Sequence, residues 1–297
     1  MYHNPVLLNE SINALNIKPN GSYVDATFGG GGHTRAILDR LSSTGKLYAF
    51  DQDPDAEINL PQDDRLQFIP NNFRFITKFL KYYNSGPIDG ILADLGISSH
   101  QIDEASRGFS TRFDAPLDMR MNYSGGLTAA EIINQYDELK LRQVLKNYGE
   151  LYQAAKMARK IIHHRQQNPI ETTAELNAIL KPFLPPKKAN KILAQVYQAI
   201  RIEVNQELEA LKMFLTQTPN LLNPGGRLAV ITYHSLEDRL VKRFIKNGQF
   251  EGEPEKDIYG KVSVPLKAVG KFILPTEEEI VSNPRARSAK LRVAQKL

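Results

Sequence analysis

Apolar and polar residues follow two rhythms along this chain, and the change between them divides it. Near the N-terminus Leu8, Ile12 and Leu15 recur at helical spacing, which predicts a short amphipathic helix. The stretch Tyr23–Asp51 then reads YVDATFGGGGHTRAILDRLSSTGKLYAFD. An apolar run ends at Asp25, four glycines follow at Gly29–Gly32, and a helical run opens at His33–Thr34. A second apolar run, Lys46–Phe50, ends on Asp51. Strand, glycine loop, helix, strand and acid in about 30 residues is the size of one βαβ unit. Leu66–Pro70 predicts a third strand, Phe75–Tyr83 an amphipathic helix, and Ile88–Gly96 (IDGILADLG) a buried parallel strand carrying Asp94.

After Leu95–Ser99 the alternation stops, and from about Arg107 to Ala210 the spacing is helical. Thr128 with Glu131 and Thr172 with Glu175 read as capping boxes. Leu151–His164 predicts a helix, and Asn190–Leu215 one long amphipathic pattern with Ile192, Val196, Ala199, Leu208, Leu211 and Leu215 on a shared side. Pro182, Pro185 and Pro186 break the region into pieces. The α/β rhythm returns with a turn at Asn223–Gly226 and a strand at Arg227–Tyr233, followed by His234 and Ser235. Lys290–Gln295 alternates like a half-buried strand, with Val262–Leu274 as its expected antiparallel neighbour. The expected architecture is an α/β domain built from 1–104 and 216–297, interrupted by an inserted all-helical domain at 105–215.

The glycine stretch carries the first chemistry. Glycines let the backbone approach a ligand and adopt positive φ, and the loop feeds a helix N-terminus. An acid closing the next strand suits a ribose diol. These features predict a nucleoside-bearing cofactor. A dinucleotide fingerprint places its glycines directly after the strand. Here Asp25 ends the strand and three residues intervene before Gly29. That arrangement resembles the first motif of class I S-adenosylmethionine methyltransferases, with a nicotinamide or flavin dinucleotide as the alternative. Asp25, Asp51 and Asp94 all fall at the ends of expected strands, where open α/β sheets bind ligands. Phe73, just past the third strand, offers an adenine a stacking face or else fills the core.

Composition narrows the classes further. The 297 residues are 41% hydrophobic and 24% charged, as in a soluble globular protein, and no apolar run approaches the length of a membrane span. No signal-peptide layout is present, and zero cysteines exclude disulfides, thiolate zinc sites and a cysteine nucleophile. A cytoplasmic protein without a metal centre is expected. The net charge of +5 is unevenly spread: 105–215 carries 16 cations and 11 acids, and 284–297 five cations and no acid, leaving an acidic remainder. A basic insert and a basic tail fit a polyanionic partner.

Several separated stretches then coincide with one family. They are HNPVLLNE at His3–Glu10, GGH at Gly31–His33, DGILADLGISS at Asp89–Ser99 and RGFS at Arg107–Ser110. PLDMRM at Pro116–Met121, QAIRIEVNQEL at Gln198–Leu208, HSLEDR at His234–Arg239 and NPRARSAKLR at Asn283–Arg292 continue the series in the same order. The chain resembles the 16S rRNA (cytosine-N4)-methyltransferase family of the RsmH/MraW type over essentially its whole length. The resemblance implies a Rossmann-like class I methyltransferase sheet with an inserted helical domain and S-adenosylmethionine as donor. It also implies a cytosine of 16S rRNA in the decoding region near the P site as acceptor, within the small ribosomal subunit or its precursor. Gly31, Gly32 and His33 match the family's loop contacts, Asp51 its ribose acid, and Phe73, Asp94 and Gln101 its remaining cofactor contacts. Gly30 stands where the family has a bulkier residue, and Asn190–Gln195 departs from the family's pattern before the long helix.

The residues agree with that chemistry. Methylating carbon 5 of a pyrimidine normally needs a cysteine to attack carbon 6, which this chain cannot supply. Methylating an exocyclic amine needs acceptors for its N–H bonds and good positioning instead. Asp94 is the expected residue beside the reactive centre, with Ser98, Ser99 and His234 as further candidates for the base pocket. His234 equally suits a structural role after the fifth strand. Arg285 and Arg287 suit either RNA phosphates or packing of the tail. Arg159, Lys160, Arg165, Lys187, Lys188 and Lys191 of the insert are expected to hold the RNA backbone, if they are not simply a solvated helical face.

Overall fold

The computed structural model describes residues 5–252, 254 and 264–297. They fall into two compact units, one made of 1–96 with 208–297 and the other of 97–207. The division lies eight residues earlier at each end than the rhythm of the sequence placed it.

The first unit begins with α1 (Leu8–Leu15), β1 (Ser22–Asp25), α2 (Gly32–Leu38) and β2 (Lys46–Phe50). It continues with β3 (Leu66–Ile69), α3 (Ile76–Tyr82) and β4 (Ile88–Asp94). Phe75, expected to open the helix over Phe75–Tyr83, instead ends a separate 3-10 turn, Phe73–Phe75, capped by the Asn72 side chain. The second unit holds α4 (Ser99–Asp103), α5 (Ala129–Gln135), α6 (Glu138–Asn147), α7 (Ala154–Arg165), α8 (Thr173–Leu180) and α9 (Ala189–Asn205). The chain returns to the first unit along α10 (Glu207–Leu221), β5 (Leu222–Thr232), α11 (Ser235–Asn247), β6 (Leu266–Ala268), α12 (Glu277–Ser282) and β7 (Lys290–Lys296).

The seven strands form one sheet in the order β3-β2-β1-β4-β5-β7-β6. Strands β1 to β5 run parallel to one another, β7 pairs antiparallel with β5, and β6 pairs antiparallel with β7. Both faces are covered. Val24, Phe50, Ile91 and Val230 point to a cluster with Ile76, Leu80, Phe214 and Phe244. Their strand neighbours Tyr23, Leu47, Leu92 and Ile231 point to the other face, with Ile12, Leu15 and Ile37. Two-sided burial explains why these strands read as continuous apolar runs. From β1 the chain builds outward to β2 and β3, and then returns to place β4 on the other side of β1. That reversal opens a crevice at the carboxyl ends of β1 and β4, the switch point of an open α/β sheet.

The expected turn at Asn223–Gly226 is a bulge inside β5: Leu222 pairs with Ile88, and the next pair is Arg227 with Gly90. Gly225 takes φ +80° there, which a side chain resists. The antiparallel neighbour expected over Val262–Leu274 is β6, which pairs Leu266 with Lys296; residues 262 and 263, like His3 and Asn4, lie outside the described residues.

The long pattern at Asn190–Leu215 is two helices. The chain breaks at Gln206, φ 51°, between α9 and α10. Asn205 turns its side chain onto the carbonyls of Arg201 and Met119, and Arg201 reaches over the break to Glu207 at 2.8 and 3.0 Å. The apolar stripe serves two cores. Val196 and Ala199 belong to the core of the second unit, and Leu211 and Leu215 to that of the first. In the second unit, Thr128 with Glu131 and Thr172 with Glu175 form the capping boxes of α5 and α8.

Candidate active site

The crevice is built from the ends of β1, β2 and β4. Asp25 closes β1 and is fully buried. It accepts the Thr34 hydroxyl at 2.7 Å and the Thr27 amide at 3.1 Å, and burial pushes its carboxyl up to about 6. The Thr27 hydroxyl accepts the amide of Asp94 at 2.7 Å, so one threonine ties the end of β1 to the end of β4. Asp51, just past β2, accepts the Gly29 amide at 2.7 Å through Oδ2 and the Asp53 amide at 2.9 Å through Oδ1. Burial raises its pKa to about 6 against the pull of those two amides.

The glycines have separate reasons to be glycine. Gly29 needs φ +52° and Gly31 φ +74°, and a Cβ on Gly31 would lie 2.9 Å from the Phe28 ring. A Cβ on Gly32 would lie 2.1 Å from Cγ of Pro5. Pro5 and the glycine loop are therefore packed on each other, which no spacing in the sequence revealed. Gly30 has neither constraint: its φ is ordinary and a Cβ meets nothing within 4 Å. The structure thus accounts for the bulkier residue that the resembling family carries at this place. Arg35 braces the loop by donating to the Gly30 carbonyl at 2.8 Å and to the Asn59 carbonyl at 2.6 Å.

His33 is buried, with Nε2 3.2 Å from the Val6 carbonyl and Nδ1 3.8 Å from Oδ2 of Asp94. Burial lowers its pKa to about 4, so the ring is neutral at pH 7. Its Nε2–H then donates to Val6, and Nδ1 turns a lone pair toward Asp94. Asp94 is itself pushed up to about 7, first by burial, with the charges of Asp25 and Glu237 adding to the rise. Its Oδ1 accepts the Tyr233 hydroxyl at 2.8 Å. That hydroxyl is held well above its ordinary pKa by burial and the neighbouring carboxylate. Oδ2 is left facing the lone pair of His33, so Asp94 is a carboxyl that takes up or gives back a proton near neutrality. Tyr233 was not among the expected site residues. It follows β5, which lies beside β4 in the sheet, and only the pairing of Asp94 with Ile231 brings it there.

Phe73 is half-buried and packs edge-on against Phe214 at 5.2 Å, which leaves it part core and part surface. His234 is the N-cap of α11. Its Nδ1 accepts the Glu237 amide at 3.4 Å, and Oε2 of the buried Glu237 accepts the Tyr233 amide at 2.9 Å in return. Asp238 beside it binds Arg292 with both oxygens, at 2.7 and 3.1 Å, which fixes α11 to β7. The HSLEDR motif is thus a helix start as well as a neighbour of Asp94. Arg287 is exposed, and Arg285 lies with it in the 3-10 turn Pro284–Ser288.

Ser98, Ser99 and Gln101 belong to the second unit. Ser98 and Gln101 cap α4 reciprocally, at 3.2 and 3.0 Å, and Gln101 is buried in doing so. Ser99 is partly exposed at the first position of that helix. Three of the motifs converge within this unit. Arg107 donates to the carbonyls of Arg120 and Met121, Asp118 grips Arg120 at 2.7 Å, and Asn205 takes the Met121 amide at 2.7 Å. Of the insert's basic residues, Lys160, Lys187, Lys188 and Lys191 are exposed, Arg159 lies 3.7 Å from Glu138, and Arg165 is spent on the Ile133 carbonyl.

A family model described as the MraW methylase family matches residues 1–297. Ribosomal RNA small subunit methyltransferase H of Christiangramia forsetii is 60% identical over 296 residues, covering 100% of this chain and 98% of that protein. The protein of the same name from Flavobacterium johnsoniae is also 60% identical over 296 residues, with the same coverage of both chains. A solved rRNA methylase from Streptococcus thermophilus covers 100% of this chain and 99% of its own at 14% identity and a TM-score of 0.43, a likeness that adds nothing to the family match.

Proposed function

The chain belongs to the MraW methylase family, and on that premise we propose that it transfers a methyl group from S-adenosylmethionine to the exocyclic N4 amine of a cytosine in the decoding region of 16S rRNA, near the P site. It is an S-adenosylmethionine-dependent methyltransferase of small-subunit ribosomal RNA, and it works in the cytoplasm on the small subunit or its precursor.

The crevice fits the cofactor. Asp51 presents a strand-end carboxylate whose oxygens keep lone pairs for a ribose diol beyond the two amides they already accept. The loop Gly29–Gly32 supplies close backbone approach, and the surface beyond Gly29 and Gly30 is open. Asp94 supplies negative charge for a cationic group, and the exposed part of Phe73 an aromatic face. Gly31, Gly32 and His33 act through the frame of the crevice, since the His33 side chain is buried. When bound, S-adenosylmethionine supplies a methyl carried on a positively charged sulfur.

The observation that carries the reading is the setting of Asp94. A cytosine amine is a poor nucleophile because its lone pair is delocalised into the ring. Oδ2 of Asp94 accepts an N–H of the amine and localises that lone pair. Tyr233 holds Oδ1, so the carboxyl cannot rotate away. As the amine becomes an ammonium it sheds a proton, and an acceptor with a pKa of about 7 is matched to take it. The absence of cysteine supports an amine target over ring carbon 5. Positioning supplies most of the acceleration.

Nucleoside mass spectrometry of small-subunit rRNA, treated with S-adenosylmethionine with and without the protein, tests the reading. N4-methylcytidine at one decoding-region position is expected. A methyl group on any other atom or in any other RNA would sink it.

A further inference from the structure

The antiparallel edge of the sheet carries cations that the transfer reaction does not use. A cleft of about 380 Å³ lies between α11 and the β6–β7 edge. Lys242, Lys246, Lys267, Lys271 and Arg292 line it, with Phe272 and an apolar floor, and among the described residues no acid does. The four lysines are exposed and enter no ion pair among the described residues. Arg292 is different: it is committed to Asp238. The Phe272 ring is 45% exposed, with Arg292 5.3 Å and Lys290 5.7 Å from its centre. Four ammonium groups with no ion-pair partner among the described residues repel each other around one cleft, and that repulsion is relieved by a polyanion.

The position of the cleft says which polyanion. Asp94 pairs with Ile231, Ile231 with Leu291, and Leu291 with Ile273, next to Phe272. Three steps of ~4.8 Å across the sheet put Ile273, the neighbour of Phe272, about 14 Å from Asp94. At ~3.4 Å or more of rise per nucleotide, that is a span of a few nucleotides. A row of cations beside an exposed aromatic ring is the arrangement that holds single strands, with the backbone on the charges and a base on the ring.

We propose that this cleft binds the single-stranded RNA flanking the target base, with phosphates on Lys242, Lys246 and Lys271 and one base stacked on Phe272. The proposal rests on the reading of the substrate as RNA. It adds a second contact that holds the strand while the target base is turned out into the crevice.

The test uses the full chain and a fluorescent single-stranded RNA carrying the target sequence, with anisotropy read between about 50 and 200 mM salt. Lys242→Ala/Lys246→Ala/Lys271→Ala should weaken binding at least about tenfold and make the log–log salt slope shallower by about 2, from ~0.7 per phosphate released. The corresponding triple arginine variant should restore both. Phe272→Ala should lose about tenfold with the slope unchanged, because stacking carries no charge. Calorimetric affinity for S-adenosylmethionine stays at the wild-type value in each, which reports an intact crevice. Unchanged RNA affinity and slope in the alanine variant overturn the proposal. Competition by poly-glutamate as strong as that by RNA also overturns it, and points to an acidic protein surface. Methyl transfer by the wild type is scored separately. Variants that lose RNA binding while the wild type forms no N4-methylcytidine would fail the proposed reaction and keep the cleft.

Discussion

Asp94 sits in a place that disfavours its own charge. Its folded pKa of about 7 stands above the ordinary value of 3.8, so the folded protein binds the extra proton between those limits. Its contribution to stability therefore falls as pH rises from about 4 to 7. Asp94→Asn removes that loss. The variant should gain on the order of 3 kcal/mol relative to the wild type between pH 4 and pH 8 in denaturant unfolding. It should also lose methyl transfer by at least about 100-fold. A variant that keeps full activity removes Asp94 from the reaction. In the wild type, kcat/KM should rise through about pH 7 as the carboxylate forms; a rate flat across that range contradicts a carboxylate acceptor. The loop makes a second pair of expectations. Gly32→Ala drives a methyl into Pro5 and should cost about 3 kcal/mol or more in unfolding free energy. Gly30→Ala should change stability by no more than ~0.5 kcal/mol and leave cofactor affinity unchanged. Asp25, Asp51 and Asp94 were legible because strand ends can be read from apolar runs. Thr27, Tyr233 and the contact of Pro5 with Gly32 were not, because each depends on which strands become neighbours, and nothing local encodes that.

Elements were legible where the signal is short-range. A strand buried on both faces is a run of apolar residues, and a capping box is two polar residues three apart, so β4, α5 and α8 stood out. The boxes at Ser98 with Gln101 and at His234 with Glu237 obey the same rule. They were hidden because both lie in motifs that drew attention for their chemistry, and because histidine is an uncommon cap. The break at Gln206 was hidden for another reason: the apolar spacing runs through it, and only the presence of two cores makes the stripe turn. His234 can be assigned by substitution. His234→Ala should cost about 1 kcal/mol of stability, and His234→Asn should recover it, since asparagine is a strong N-cap. If capping is its role, transfer activity follows stability and returns with asparagine. Loss of transfer in both variants at unchanged stability would instead place His234 in the base pocket.

Charge is the property of the whole molecule that the sequence read most coarsely. With the division at 97–207, the helical unit carries 15 cations and 12 acids, a smaller excess than the earlier boundaries suggested. Two acids inside its new boundary, Asp103 and Glu104, account for part of the difference. Within it Arg165 is structural, and Arg120 and Arg201 are held by Asp118 and Glu207. The cations left over are chiefly lysines, at Lys187, Lys188 and Lys191 in one unit and at Lys242, Lys246 and Lys271 in the other. Composition cannot separate a paired cation from an unpaired one, because pairing is a matter of three-dimensional neighbours. If the two lysine groups contact different phosphates of one RNA, their contributions are independent. Neutralising either group should make the salt slope of binding shallower by about 2, and neutralising both by about 4. Wild-type affinity and salt slope in the Lys187/Lys188/Lys191 variant would show that this group does not touch the bound strand. It would leave the helical unit without an electrostatic part in holding the RNA.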